Sequence, residues 1–168
     1  MAIIKKPVHS EGGFAVGSTT VFNDTRDAQN INTLEIQNSN FSESSRKTYI
    51  MRGVSTTTLT LDGSSVIPLT NSTMNFVTAW VVGVNPDGTG HYSTKIESVI
   101  SCGSTGSVSI LSNLTTILKD SVPSGQSWEV SVNELPGLNR YEIITTRTGT
   151  TAAIRWFAHV DVVKVLWV

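Results

Sequence analysis

The chain has 168 residues, a formal net charge of −1 and a pI near 6.3, with only 15 % charged residues against roughly 25 % in ordinary soluble domains. That length allows one well-filled domain with chain left over for an arm, and the charge balance excludes a polyanion or a polycation. Serine and threonine make up roughly a quarter of the residues, a bias towards strands and turns, and so sparse a charge suits a surface partly covered by neighbours.

The single cysteine, Cys102, rules out an intrachain disulfide and reads as a small buried or half-buried thiol. No apolar run approaches the ~20 residues of a membrane-spanning helix. The N-terminal Met-Ala-Ile-Ile-Lys-Lys-Pro lacks the basic-then-apolar order of a secretory signal. The expectation is therefore a protein made in a cytoplasm and soluble there.

Residues 1–47 are polar and turn-rich, with Gly12-Gly13, Gly17-Ser-Thr-Thr20 and an Asn/Ser-rich stretch over 37–45. Isolated apolar residues punctuate them: Phe14, Phe22, Ile31, Leu34, Ile36 and Phe41. Helical spacing is weak, at best one short turn over 24–36. Such a segment buries too little apolar surface to fold by itself. It is expected to be an extended assembly arm, those six residues gripping another copy of the chain or a larger assembly.

From position 48 a strand rhythm sets in. Residues 48–52 and 57–61 read as short strands, and Asp62-Gly63 as a hairpin signal. Pro68 cannot donate a ladder bond, which places 66–69 at an edge or a strand end. Over 74–83, Phe76, Thr78, Trp80 and Val82 share one face and Val77, Ala79 and Val81 the other, so a central strand covered on both faces is predicted. Asn85-Pro-Asp-Gly-Thr-Gly90 is a tight turn that folds 91–100 back onto 74–83. Val108 starts another strand, which 111–119 either continue or end in a brief helical turn.

Residues 127–133, 140–147 and 153–168 alternate with a period of two. Trp128, Val130 and Val132 lie on one side, as do Ile154, Trp156, Ala158, Val160 and Val162, opposite Arg155, Phe157, His159 and Asp161. Pro136-Gly137 and Gly149 break them into three strands, expected to be antiparallel neighbours in one meander. The predicted fold class is all-β: an antiparallel, jelly-roll-like β-sandwich over 48–168 with an extended N-terminal arm over 1–47.

Residues with catalytic or ligating potential are few. His9, His91 and His159 have no partner at metal-ligand spacing, and Cys102 has no second cysteine, so no metal or other cofactor is expected. Asp87 lacks the further carboxylates of a calcium loop and reads as a turn residue. Glu97, Glu129, Glu134 and Glu142 alternate with apolar residues as solvated strand faces do, rather than as a facing acid pair. Gly103-Ser-Thr-Gly-Ser107 has the wrong spacing for a nucleophile elbow. Arg140, Arg147 and Arg155 beside Tyr141 and Trp156 form no basic stripe, so no specific nucleic-acid partner is expected. Asn85, His91 and Tyr92 are the candidate exposed contacts at a loop tip.

Several short stretches carry a resemblance. Tyr49-Ile-Met-Arg-Gly53 with Thr-Leu-Thr-Leu-Asp-Gly63, and Asn71-Ser-Thr-Met-Asn-Phe76 running into Ala79-Trp-Val-Val-Gly83, are two of them. Trp128-Glu-Val-Ser-Val132, Ile154-Arg-Trp-Phe-Ala-His-Val160 and Val162-Val-Lys-Val165 are others. Over about 48–168 they resemble a β-rich domain of tailed-bacteriophage virion proteins, found in tail-fibre heads and in small capsid cement proteins. Val21-Phe-Asn-Asp-Thr-Arg-Asp27 resembles their Asn/Ser-rich connectors. The resemblance implies a non-enzymatic, homotrimeric virion component, assembled in the host cytoplasm, with itself and a major capsid protein or tail component as partners. The sequence carries no heptads, no Gly-X-Y run and no chaperone domain after Val168, unlike long fibres. A capsid-decorating cement protein fits better than a tail fibre or a host-binding appendage.

Overall fold

The computed structural model describes residues 14–16, 19–22, 33–135 and 137–167, and the chain divides into two compact units, Met1–Asn32 and Thr33–Val168. In the first, β1 (Phe14–Val16) and β2 (Thr19–Phe22) pair antiparallel.

In the second unit every regular element among the described residues is a strand, and all strand pairs are antiparallel. One sheet has six strands: β3 (Thr33–Ile36), β4 (Ser44–Val54), β12 (Arg155–Leu166), β7 (Thr73–Val84), β8 (His91–Cys102) and β9 (Val108–Ser121), in that spatial order. The other is built on the hairpin of β10 (Ser127–Leu135) and β11 (Arg140–Thr148). The far side of β11 is shared by β5 (Thr57–Thr58) and β6 (Ile67–Pro68). The two sheets pack as the antiparallel sandwich that the alternation predicts. Pro68 falls on the short β6, where a missing N–H is tolerated.

Turn chemistry sets the long hairpin. Gly88 takes a φ of 75°, its N–H donates to the Asn85 carbonyl at 3.1 Å, and the Asn85 N–H donates to the Gly90 carbonyl at 3.1 Å. From that turn β7 and β8 pair in unbroken register from Val84–His91 to Thr73–Cys102.

The core lies between the sheets. Val77, Ala79 and Val81 from β7, Ile96 and Ile100 from β8, and Trp156, Ala158 and Val160 from β12 face Trp128, Tyr141 and Ile143 of the second sheet. Each such large side chain contributes roughly 1.5–3 kcal/mol by leaving water. Trp156 is the hub. Its ring meets Tyr92 and Trp128 edge-on at 6.3 and 6.1 Å, and its Nε1–H donates to the Ser55 carbonyl at 2.8 Å. The Thr145 hydroxyl of β11 donates to the same carbonyl at 3.3 Å, so one peptide group joins both sheets.

Several expectations are corrected. β10 and β11 are neighbours, but β12 leaves them and inserts between β4 and β7. Its twelve residues find full-length partners only there, β4 pairing over eleven positions and β7 over twelve. The suggested helical turn over 24–36 is replaced at Thr33–Ile36 by β3, paired with β4; residues 24–32 lie outside the described residues. Leu111 to Lys119 is strand throughout, within β9. β4 runs from Ser44 across position 47, so strand pairing begins earlier than the rhythm of the sequence indicates.

β7 is central, as predicted, but it is covered on one face only. Val77, Ala79 and Val81 are buried, whereas Phe76 is 48 % and Trp80 46 % exposed. The second sheet packs on a single side, and the opposite face of the six-stranded sheet is bare among the described residues.

Candidate functional site

That bare face is the candidate site. Cross-strand register fixes its layout, because directly opposite residues in an antiparallel ladder point to the same side. Running from β4 through β12 and β7 to β8, the first row is Arg52, Phe157, Val82 and Ser93. The next is Ile50, His159, Trp80 and Lys95, then Thr48, Asp161, Thr78 and Glu97, then Arg46, Val163, Phe76 and Val99. Ile50, Phe76, Trp80, Val82, Phe157 and Val163 are each between 39 and 48 % exposed.

Several charges on this face pair with one another, while Arg52 and Arg155 stand exposed on it without an ion-pair partner among the described residues. Arg46 donates to both Asp161 oxygens, at 3.3 and 2.8 Å, and the Thr48 hydroxyl donates to Asp161 Oδ1 at 2.6 Å. Hydrogen bonding from Arg46 holds the Asp161 carboxyl below its ordinary range, against the opposing effect of partial burial and with help from Thr48. Lys95 lies 2.9 Å from a Glu97 oxygen, and its ammonium stands 5.6 Å from the centre of the Trp80 ring. The face thus combines aromatic and branched apolar side chains with two charge pairs neutralised in place, Arg46–Asp161 and Lys95–Glu97, and with Arg52 and Arg155 left for a covering partner to pair.

Its size is that of a protein interface. Five strands about 4.8 Å apart, 11 to 14 residues long at about 3.4 Å each, with the short β3 beside them, span a face on the order of 1,000 Å². A standard interface buries about 800 Å² per partner, and monomers rarely leave apolar patches beyond a few hundred Å² uncovered.

The residues singled out by sequence fall elsewhere. Leu34 and Ile36 of β3 and Phe41 in the following turn are 50, 61 and 56 % exposed. Phe14 stands in β1 and Phe22 in β2, while Ile31 lies outside the described residues. Leu34 and Ile36 oppose Thr48 and Arg46 in the ladder, so they extend the bare face at its edge.

The loop-tip trio separates. Asn85 spends its side chain inside its own turn, accepting the Gly90 N–H at 3.0 Å and donating to the Thr89 hydroxyl at 3.3 Å. His91 is half-buried at the start of β8. Tyr92 is not an exposed contact: it is 4 % exposed and packs on Trp156. Alternation along β8 turns consecutive side chains to opposite faces, which sends Tyr92 into the core.

Several of the remaining polar candidates have structural partners, while a buried Arg147 Nη1 has none. Asp87 accepts the Thr89 N–H at 2.9 Å and its hydroxyl at 2.7 Å, which is turn chemistry. Glu134 accepts the Ile110 N–H at 2.6 Å, tying β10 to the start of β9, and Glu142 accepts from Asn133 at 3.2 Å. Among the described residues no group of three His, Cys, Asp or Glu is placed to hold a metal ion. A crevice lined by Lys47, Tyr49, Pro68, Asn75, Val162 and Lys164 has room for about one water molecule.

Sequence reasoning missed Phe157, His159 and Ile50 as surface residues of one patch. The available signal was the apolar character of both sides of β7. No protein-family model matches the chain, and a search of curated proteins finds none that matches.

Proposed function

We propose that this chain is a non-enzymatic structural protein of a bacteriophage virion, a capsid cement protein that acts as a homotrimer and stabilises the shell by covering neighbouring coat subunits. The observation that carries the reading is the face around Trp80 and Phe157, uncovered among the described residues, large enough for a full interface, studded with exposed apolar side chains and with Asp161 and Glu97 already paired. Burial of that face supplies non-directional attraction, and several copies acting together multiply weak contacts into firm attachment. The arm adds a second grip in this reading. The short motifs that resemble phage virion proteins supply the prior for this class; the face supplies the mechanism.

Two variants and a count test it. Trp80→Glu with Phe157→Glu places charge on the bare face and should abolish attachment to purified particles while the far-ultraviolet spectrum and melting temperature stay close to wild type. Deleting residues 1–32, which leaves the whole second unit, should weaken attachment without unfolding that unit. Quantifying the protein in purified particles separates locations: hundreds of copies mean shell, and a handful mean a tail appendage. Undiminished attachment of both variants would end the covering mechanism.

A further inference from the structure

The second surface that stands out is an edge rather than a face. β9 is the last strand of its sheet, and among the described residues nothing pairs along its outer side. Its first residues are held down, Val108 in the core and Ile110 through the Glu134 carboxylate. From there it runs beyond the cover of the second sheet. Every residue from Leu111 to Asp120 is exposed, with Leu111, Leu114, Ile117 and Leu118 between 50 and 58 %. Both faces of this stretch are bare, and so is its row of backbone donors and acceptors.

Native proteins guard such edges with charge, proline or bulges. No charge and no proline occurs between Val108 and Leu118. Bulges are present, but the register shifts only at Leu111 and at Leu118, leaving a regular run of six residues between them. The opposite edge of the sheet is built differently: β3 and β4 carry Glu35, Arg46 and Lys47, with Lys47 and Glu35 paired at 3.2 Å. A head-to-tail join of β9 to that edge would set an uncharged strand against a charged one.

We propose that β9 pairs antiparallel with β9 of a second copy of this chain, across a two-fold axis perpendicular to the sheet. Such an axis keeps like faces together, so residues of the same parity meet. With Leu114 on the axis it faces its own counterpart, Ser112 faces Thr116 and Asn113 faces Thr115. Five residues paired in this way form about four to six inter-copy hydrogen bonds. No ionised side chain lies in the paired stretch, so like charges never meet on the axis, and Lys119 and Asp120 fall outside it at either end. Two six-stranded sheets become one, and their bare faces merge on one side. The pairing goes beyond the covering role and does not depend on it.

Sedimentation or light scattering of the full-length chain reads the result directly. The expected mass is an even number of copies: a hexamer, in which the axis joins two of the proposed homotrimers, or a dimer where three-fold contacts form only on the particle. Leu114→Lys, a change at an exposed position, should halve that mass, because two ammonium groups would meet on the axis. Leu114→Glu should do the same, and mixing the two variants should restore the wild-type mass. Leu114→Cys should cross-link the two copies under mild oxidation. An odd-numbered or monomeric wild-type chain, or an even mass that Leu114→Lys leaves intact, overturns the proposal. Particle attachment measured on the same Leu114→Lys protein reports on the covering role separately.

Discussion

The ring of Trp156 lies over Gly83, its cross-strand partner on β7, so closely that a β-carbon on the glycine would stand 2.6 Å from the indole Cε3. The opposite neighbour of Trp156, on β4, is also a glycine, Gly53. The largest buried side chain of the sandwich therefore fits because β7 gives up a side chain beside it, whereas a β-carbon on Gly53 would meet Thr57 and Leu59 instead.

Gly83→Ala follows from this contact. Overfilling a packed site costs about 1–3 kcal/mol, and the indole cannot slide away while its Nε1–H is held by the Ser55 carbonyl. Thermal unfolding should show a loss of several degrees in Tm. An unchanged Tm would mean that Trp156 is loosely seated.

The tyrosines give a pH prediction with a definite sign. Burial, reinforced by the Glu35 charge, pushes the Tyr49 phenol up to about 12; burial, partly offset by the Ser98 hydroxyl, pushes Tyr141 to about 12 as well. Tyr92 is raised too, by burial first and then by Asp120 and Glu129. The chain has three tyrosines, so all of them resist ionisation in the fold. A folded pKa above the unfolded value near 10 means stability that is intact below about pH 10 and lost as pH rises towards about 12. Native protein should show little tyrosinate absorbance at pH values where the urea-unfolded chain is already ionised, and its denaturation midpoint should fall over that window.

Cys102 sits at the end of β8 with no exposed surface, and burial raises its thiol pKa. Thiolate is the reactive form. A thiol reagent should therefore modify the native protein only at the rate of opening, and modify one thiol per chain promptly in denaturant. Rapid reaction in native buffer would show that the β8 end frays.

The turn after β5 depends on Asp62. Its carboxylate accepts the Ser64 and Ser65 N–H groups at 3.0 and 2.7 Å and the Ser65 hydroxyl at 3.0 Å, which lowers its pKa to about 2, the Ser65 backbone contributing most. A lowered carboxyl pKa supports the turn above its ordinary titration range near 4 and withdraws that support as pH falls towards about 2. Asp62→Ala should speed hydrogen exchange of the Ser64 and Ser65 amides and leave core amides unchanged.

Much of the fold was legible because a strand writes its orientation into a period of two. The inward residues of β12 and the partnership of β7 with β8 through Asn85–Gly90 come straight from that pattern. β9 was harder to read for a physical reason: bulges at Leu111 and Leu118 shift its phase, and its exposed apolar residues at 111, 114, 117 and 118 then mimic helical spacing. The bare face was illegible because alternation says which residues share a side, not what covers it. Phe76 and Trp80 looked like a second buried face, and Tyr92 like a loop tip, until strand partners were known.

Taken alone, the order of residues determined the all-β class, the main turns and which residues of β7, β8 and β12 share a side, since these depend on contacts a few residues apart. Tertiary structure alone decided that β12 leaves β11 for a place between β4 and β7, that the second sheet covers only one side of the first, and that among the described residues β9 ends the sheet with both faces exposed. Those outcomes rest on pairings between residues up to about 120 positions apart, and chain-local periodicity carries no record of such partners.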